Sequence, residues 1–69
     1  MADSVYKIIE LVGTSSQSWE KAATNAIAKA SETLRDLRIA EVSEMDLIIK
    51  DGKVEGFRTR LKVSFKFQG

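Results

Sequence analysis

The sequence has no cysteine, no histidine and no proline among its 69 residues. Without cysteine there are no disulfides and no thiolate metal sites. Without histidine the commonest general base and the commonest transition-metal ligand are gone. A Cys–His or Ser–His nucleophile pair is therefore excluded. Charge is also scarce in net terms, +1 at pH 7, so no global attraction draws the chain to nucleic acid or membrane. No run is long and apolar enough to span a bilayer. The opening residues MADSVYK lack the charged start and apolar core of a signal peptide, and a cytoplasmic location is the expectation.

What is present is one short domain, residues 1–69. A chain of this length buries too little apolar surface for comfortable stability, and such scaffolds usually carry a staple. With disulfides excluded, oligomerisation is the staple left. A hard cation held by oxygen ligands is a further addition.

The stretch VYKIIELVG is rich in β-formers and reads as a strand from about Val5 to Val12. The segment TSSQSWEKAATNAIAKASETLRDL holds the one helix, roughly twenty residues and about 30 Å long. Trp19, Ala22, Ala23, Ala26, Ile27, Ala30 and Leu34 recur on one face at helical spacing. Ser15 or Ser16 is the expected N-cap. Two strands follow, Arg38 to Lys50 and the run after Lys53, joined by KDGK. Asp51-Gly52 between alternating runs is a strong hairpin signal. A two-residue turn pairs Lys50 with Lys53. Counting back sets Met45 opposite Arg58, Glu41 opposite Lys62 and Ile39 opposite Ser64. On the last strand Phe57, Thr59, Leu61, Val63, Phe65 and Phe67 point one way. Arg58, Arg60, Lys62, Ser64 and Lys66 point the other.

The expected fold is α+β with order β-α-β-β. A right-handed crossover and an inserted hairpin strand give a three-stranded antiparallel sheet, order 1-3-2, on one helix. The aromatic face of the last strand meets the helix together with Ala40 and Val42. The hairpin is longer than the helix and must project beyond it. Plain counting places Glu44, Asp46 and Ile48 on the helix side. It places Ile39, Met45, Leu47, Ile49 and Val54 on the outer face. An isolated hairpin is marginal in water, and an apolar face on it calls for other copies of the chain.

Glu44 and Asp46, two apart on a strand, are candidate ligands for calcium or magnesium if a neighbouring chain adds oxygens. The plainer reading is a solvated strand end or a salt bridge to a neighbour's arginine. Arg58, Arg60, Lys62 and Lys66 form a basic stripe. It lacks aromatic stacking partners, so a charged surface or subunit contact is preferred to nucleic-acid binding. Trp19 at core spacing reads as core. The glycine of LVGTSS lacks the lysine and second glycine of a phosphate loop. No catalytic constellation appears, and a single sheet with one helix makes no deep cleft, so an enzyme is not expected.

In combination, VYKIIELVGTS, the alanine-rich helix closing in ASETLRDL, the triplet AEV and the ending LKVSFKF resemble the dodecin family over nearly the whole chain. The resemblance implies a hollow homododecamer that stores a small ligand rather than turning it over. It implies flavin (FMN or riboflavin) stacked on a tryptophan just before the AEV-like triplet, with a glutamine of the last strand on the flavin ring. Here those positions are Ile39 and Arg58. Losing the stack forfeits roughly 1–3 kcal/mol per ring, or about tenfold to a hundredfold in affinity. Flavin is therefore expected to bind poorly, and Ile39, Met45 and Arg58 are expected to line the remnant of its pocket. SWE, RIAEVSEMD and FRTRLKVSFKF are similar to a tryptophan-lacking, calcium-dodecin-like branch, in which Glu44 and Asp46 fall on acidic positions. The expectation is a non-enzymatic ligand- or cation-binding cage. The alternatives are a flavin-storing dodecin with altered contacts and a ligand-free structural cage.

Overall fold

Strand β1 (Tyr6–Ser15) begins the fold in the computed structural model, which describes residues 3–66. It runs past Gly13, where a strand end was expected, and Thr14 and Ser15 still pair with Arg58 and Phe57. The reason is packing. A Cβ on Gly13 would collide with the carbonyl oxygen of Ala22 and press on the Ala26 methyl. Glycine here lets the helix lie directly on the strand; it does not break the strand.

Because β1 uses Ser15, the helix starts later. Helix α1 (Trp19–Ala30) is capped by Ser18, whose side chain accepts the Lys21 amide at 2.9 Å. Neither Ser15 nor Ser16 is the cap. The Ser15 hydroxyl instead accepts the Gln17 amide in the connecting turn. Twelve residues make about 18 Å of helix, well short of the expected length. Leu34 keeps the apolar period but lies beyond the helix, in the turns that lead through Asp36 (φ 60°) into the next strand.

Strands β2 (Leu37–Lys50) and β3 (Lys53–Lys66) form the expected hairpin, and the sheet order is β1-β3-β2, antiparallel throughout. The turn supplies its two positive φ angles at Asp51 and Gly52, as the tight hairpin requires. Lys50 pairs with Lys53, Glu41 with Lys62 and Ile39 with Ser64, as counting predicts. Between those points the register slips. Glu55 is an extra residue in β3 and Ser43 an extra residue in β2, so Glu44 to Ile48 are displaced by one position and the displacement is then undone. Met45 consequently faces Thr59, not Arg58, and Arg58 faces Asp46.

A one-residue slip exchanges the two faces of a strand. Glu44, Asp46 and Ile48 share the outer face, opposite to the expectation. Met45 and Leu47, expected outside, pair with Thr59 and Phe57 on the helix side. Ile49 and Val54 follow on that side by alternation. Ile39 is on the outer face as expected, and Ala40 and Val42 are on the helix side opposite Val63 and Leu61. Phe67 lies outside the described residues.

The core is thin. Leu61 and Val63 are each 1% exposed and pack with Ala26 against Ile9, Leu11, Ala23, Ile27 and Leu37. The helix lies over β1 and β3. The helix-side face of β2 is left uncovered, with Val42, Met45, Leu47 and Ile49 all exposed. The hairpin projects accordingly, and the molecule measures 53 × 21 × 15 Å.

Candidate functional site

The slipped segment brings acids and bases together on the outer face. Arg58 and Arg60 alternate along β3 at the same spacing as Asp46 and Glu44 along β2, and the shifted register sets each against its partner. Arg58 donates from Nε to Asp46 Oδ1 at 2.7 Å and from Nη2 to Oδ2 at 2.8 Å. This two-pronged fork is the strong geometry for a guanidinium and a carboxylate. Arg60 Nε lies 2.9 Å from Glu44 Oε1, and its Nη1 lies 3.6 Å from Glu10 Oε1. Glu10 comes from β1, so the ladder crosses all three strands.

The fork sets the protonation of its members. The hydrogen bond from Arg58, aided by the charges of Arg58 and Arg60, holds the Asp46 carboxyl below the usual aspartate value. The same hydrogen bond and charge hold Arg58 above its ordinary value. Lys62, the next base along β3, stands between Glu10 and Glu41. The basic stripe of the sequence is thus interleaved with carboxylates, as suits a charged sheet surface rather than a phosphate track.

Ile39, Met45 and Arg58 are not brought together within one chain. Ile39 and Arg58 do share the outer face, but Ile39 stands opposite Ser64, six residues from Arg58 along β3, or roughly 20 Å. Met45 is on the other face. The cavity beside Ile39, lined also by Ile27, Leu37, Arg38, Ala40 and Val63, has about 140 Å³. Small-molecule pockets run from about 300 Å³ upward. Sequence reasoning did not single out the neighbours of Ile39 on this face. Ile8 also pairs with Ser64, and Tyr6 follows it along β1. All three side chains are exposed, and the period-two alternation of VYKII was the signal for the shared face. Glu10 and Arg60 were not expected as partners: Glu10 pairs with Lys62 in the unshifted β1–β3 register and reaches Arg60 diagonally.

Glu44 and Asp46 lie side by side, yet their oxygens are engaged. Calcium takes six to eight oxygen ligands. Both Asp46 oxygens hold Arg58, and one Glu44 oxygen holds Arg60. Among the described residues no group of three or more acidic, histidine or cysteine side chains is placed to hold a metal ion. One chain alone therefore does not present the donor set of a resident calcium.

Trp19 has a structural task. Its Nε1–H donates to the Asp46 carbonyl at 2.9 Å, and its own carbonyl accepts the Thr59 hydroxyl at 2.9 Å. Its ring meets Phe57 edge-on at 5.2 Å. It pins the start of the helix to the slipped part of the hairpin.

A protein-family model described as Dodecin matches residues 5–68. The chain is 42% identical over 65 residues to the calcium dodecin of Mycobacterium tuberculosis, covering 94% of this chain and 92% of that protein. It is 41% identical over 64 residues to a dodecin of Thermus thermophilus, covering 93% of each. Among solved structures, dodecin from Streptomyces coelicolor superposes with a TM-score of 0.92 at 36% identity, covering 100% of this chain and 99% of that one. The M. tuberculosis calcium dodecin, a calcium-chelating antigen with a novel calcium-binding site, superposes with a TM-score of 0.83 at 44% identity, covering 94% and 93%.

Proposed function

This chain belongs to the dodecin family, a family of non-enzymatic binding proteins, and from that premise we propose that it works as a hollow homododecamer that binds a small ligand at an altered flavin site. The observation that carries the reading is Ile39. It stands on the outer face, 69% exposed, at the position where the resemblance expects the aromatic platform for flavin. An aliphatic side chain there leaves nothing to stack on; the small cavity that also touches Ile39 is lined by the helix-side Ile27, Leu37, Ala40 and Val63 and is not part of this face. Any ligand site on this face is built by more than one copy.

The uncovered helix-side face of β2 supports assembly. Val42, Met45, Leu47 and Ile49 form an apolar row on a projecting hairpin. Fully burying such side chains is worth about 1.5–3 kcal/mol each. Within one chain, Leu61 and Val63 are the large apolar side chains that are fully buried.

The identities of 42% and 41% do not separate the calcium and ordinary dodecins. The residue at position 39 is what argues for the flavin-poor side. A calcium-binding role is the second reading, favoured by the M. tuberculosis relative. It needs donors beyond the arginine-held Glu44 and Asp46.

Native mass spectrometry before and after riboflavin, FMN and calcium tests the proposal. A dodecamer mass that gains no flavin supports the altered site. A dodecamer carrying flavin overturns that part and returns the ordinary storage role. A monomer or dimer overturns the assembly.

A further inference from the structure

Two ladders can join the same ends of the hairpin. Val42 pairs with Leu61, and Ile49 pairs with Val54. Between those pairs the hairpin sets 44–48 against 60–56 and leaves Ser43 and Glu55 over. A straight ladder between the same ends would set 43–48 against 60–55 and leave nothing over. The backbone alone favours the straight ladder, because each bulge leaves a residue unpaired and disrupts the hydrogen bonding around it. The side chains favour the bulged one. Asp46 holds Arg58 with both oxygens, Glu44 Oε1 lies 2.9 Å from Arg60 Nε, and the Ser43 hydroxyl donates to the Arg60 carbonyl at 3.2 Å. In the straight ladder Glu44 would stand opposite the buried Thr59 and Asp46 opposite Phe57, while Met45 would stand opposite Arg58. Trp19 does not choose between the two. Its indole donates to a main-chain carbonyl, and a carbonyl occupies that place in either register.

We propose that residues 44–48 form a two-register device, in which Glu44 and Asp46 are positioning residues that latch the bulged ladder onto Arg60 and Arg58. A one-residue slip exchanges the two faces of a strand. Once released, the segment would turn Met45 and Leu47 to the outer face and bring Glu44 and Asp46 to the helix side. The change is confined, since the pairs on either side are the same in both ladders. Backbone pairing that opposes side-chain pairing in this way makes a bistable element, two packings of one sequence. The latch decides whether the uncovered helix-side face of β2 presents apolar side chains or carboxylates. Its consequence for assembly rests on the proposed subunit contact at that face; the register itself does not.

The chain has no cysteine, so an introduced pair reports the register directly. Met45→Cys/Thr59→Cys joins two positions that face each other on the helix side. In the straight ladder they lie on opposite faces and cannot be bridged. Disulfide closure in a glutathione buffer is measured beside the native mass of the reduced protein. The pair is expected to close readily. Adding Glu44→Ala/Asp46→Ala is expected to slow closure by roughly tenfold, one decade of a two-state ratio, and to shift the mass toward smaller species. Deleting Ser43 and Glu55 from that variant is expected to restore both, because every observed pair then follows from plain counting. Asp46→Asn serves if the double alanine variant does not fold, with a smaller slowing expected. Closure that is as fast without the carboxylates overturns the proposal, and so does a slowing that the deletions do not reverse. Slowed closure with an unchanged assembly mass upholds the latch and overturns the subunit contact at this face.

Discussion

Asp46 and Arg58 face each other across β2 and β3 and are joined by two hydrogen bonds, of 2.7 and 2.8 Å. Arg58 holds the Asp46 carboxyl below its ordinary value of 3.8. A group whose value is lower in the folded state stabilises the fold above its unfolded value and stops doing so as pH falls through the folded one. The fork is therefore intact at neutral pH and opens only below about pH 3.8. Carbon-detected NMR titration of Asp46 is expected to give a midpoint under 3.8 in the wild type. Arg58→Gln is expected to move that midpoint upward. A wild-type midpoint at the ordinary value would show that the fork is not kept in solution.

At Gly13 the strand lies directly against the Ala22 carbonyl of the helix. A methyl on Gly13 meets a backbone oxygen, which cannot swing aside as a side chain would. Gly13→Ala is expected to cost about 1–3 kcal/mol through overpacking. In a chain this small that lowers Tm by about 4–8 °C per kcal/mol. Gly56→Ala, where the nearest atom is the Ser15 carbonyl oxygen at 3.2 Å, is expected to cost less. Thermal melts of the two variants check the order; equal Tm values would remove the argument for Gly13.

Leu47 and Ile49 stand on the uncovered helix-side face of β2, 41% and 65% exposed. If other copies cover that face, a charge there is buried without a partner. Leu47→Lys and Ile49→Lys are each expected to shift the native mass from the assembly toward smaller species at micromolar concentration. An assembly mass unchanged in both variants would place the subunit contacts elsewhere.

The outline of this fold is legible because its strongest signals are local. Asp51-Gly52 fixes the turn, the alanine face fixes the helix, and the strand order follows from handedness. The site is not legible, because its geometry depends on two bulges that cancel. Ile39 to Val42 and Ile49 to Lys50 obey plain counting, and Glu44 to Ile48 between them do not. The clue was chemical. Unshifted, Glu44 and Asp46 would crowd the apolar side while Met45 and Leu47 sat among arginines. One step of register matches Glu44 to Arg60 and Asp46 to Arg58, and sends the apolar pair inward. The helix ends sooner than its apolar period for a related reason. Leu34 continues the apolar period after the helix has ended at Ala30, in a turn where its amide donates to the Ala30 carbonyl, and Ser15, a good cap by type, is already spent in β1.

Ile39 carries the proposed ligand reading, and placing an aromatic platform at that position is the direct check. Ile39→Trp puts a flat ring on the outer face beside Ile8 and Tyr6. A single aromatic stack is worth roughly 1–3 kcal/mol, so riboflavin affinity is expected to rise by about tenfold to a hundredfold over wild type. Arg58→Gln alone is expected to add little. In one chain it lies six residues along the strand from the partner of Ile39, and it can act on the same ligand only when a second copy brings it near. The double variant should therefore exceed Ile39→Trp only in the assembled protein. Quenching of riboflavin fluorescence, read on the assembly and on a dissociated variant such as Leu47→Lys, separates these cases. No gain from Ile39→Trp in an intact assembly would mean that position 39 lines no ligand site in this protein.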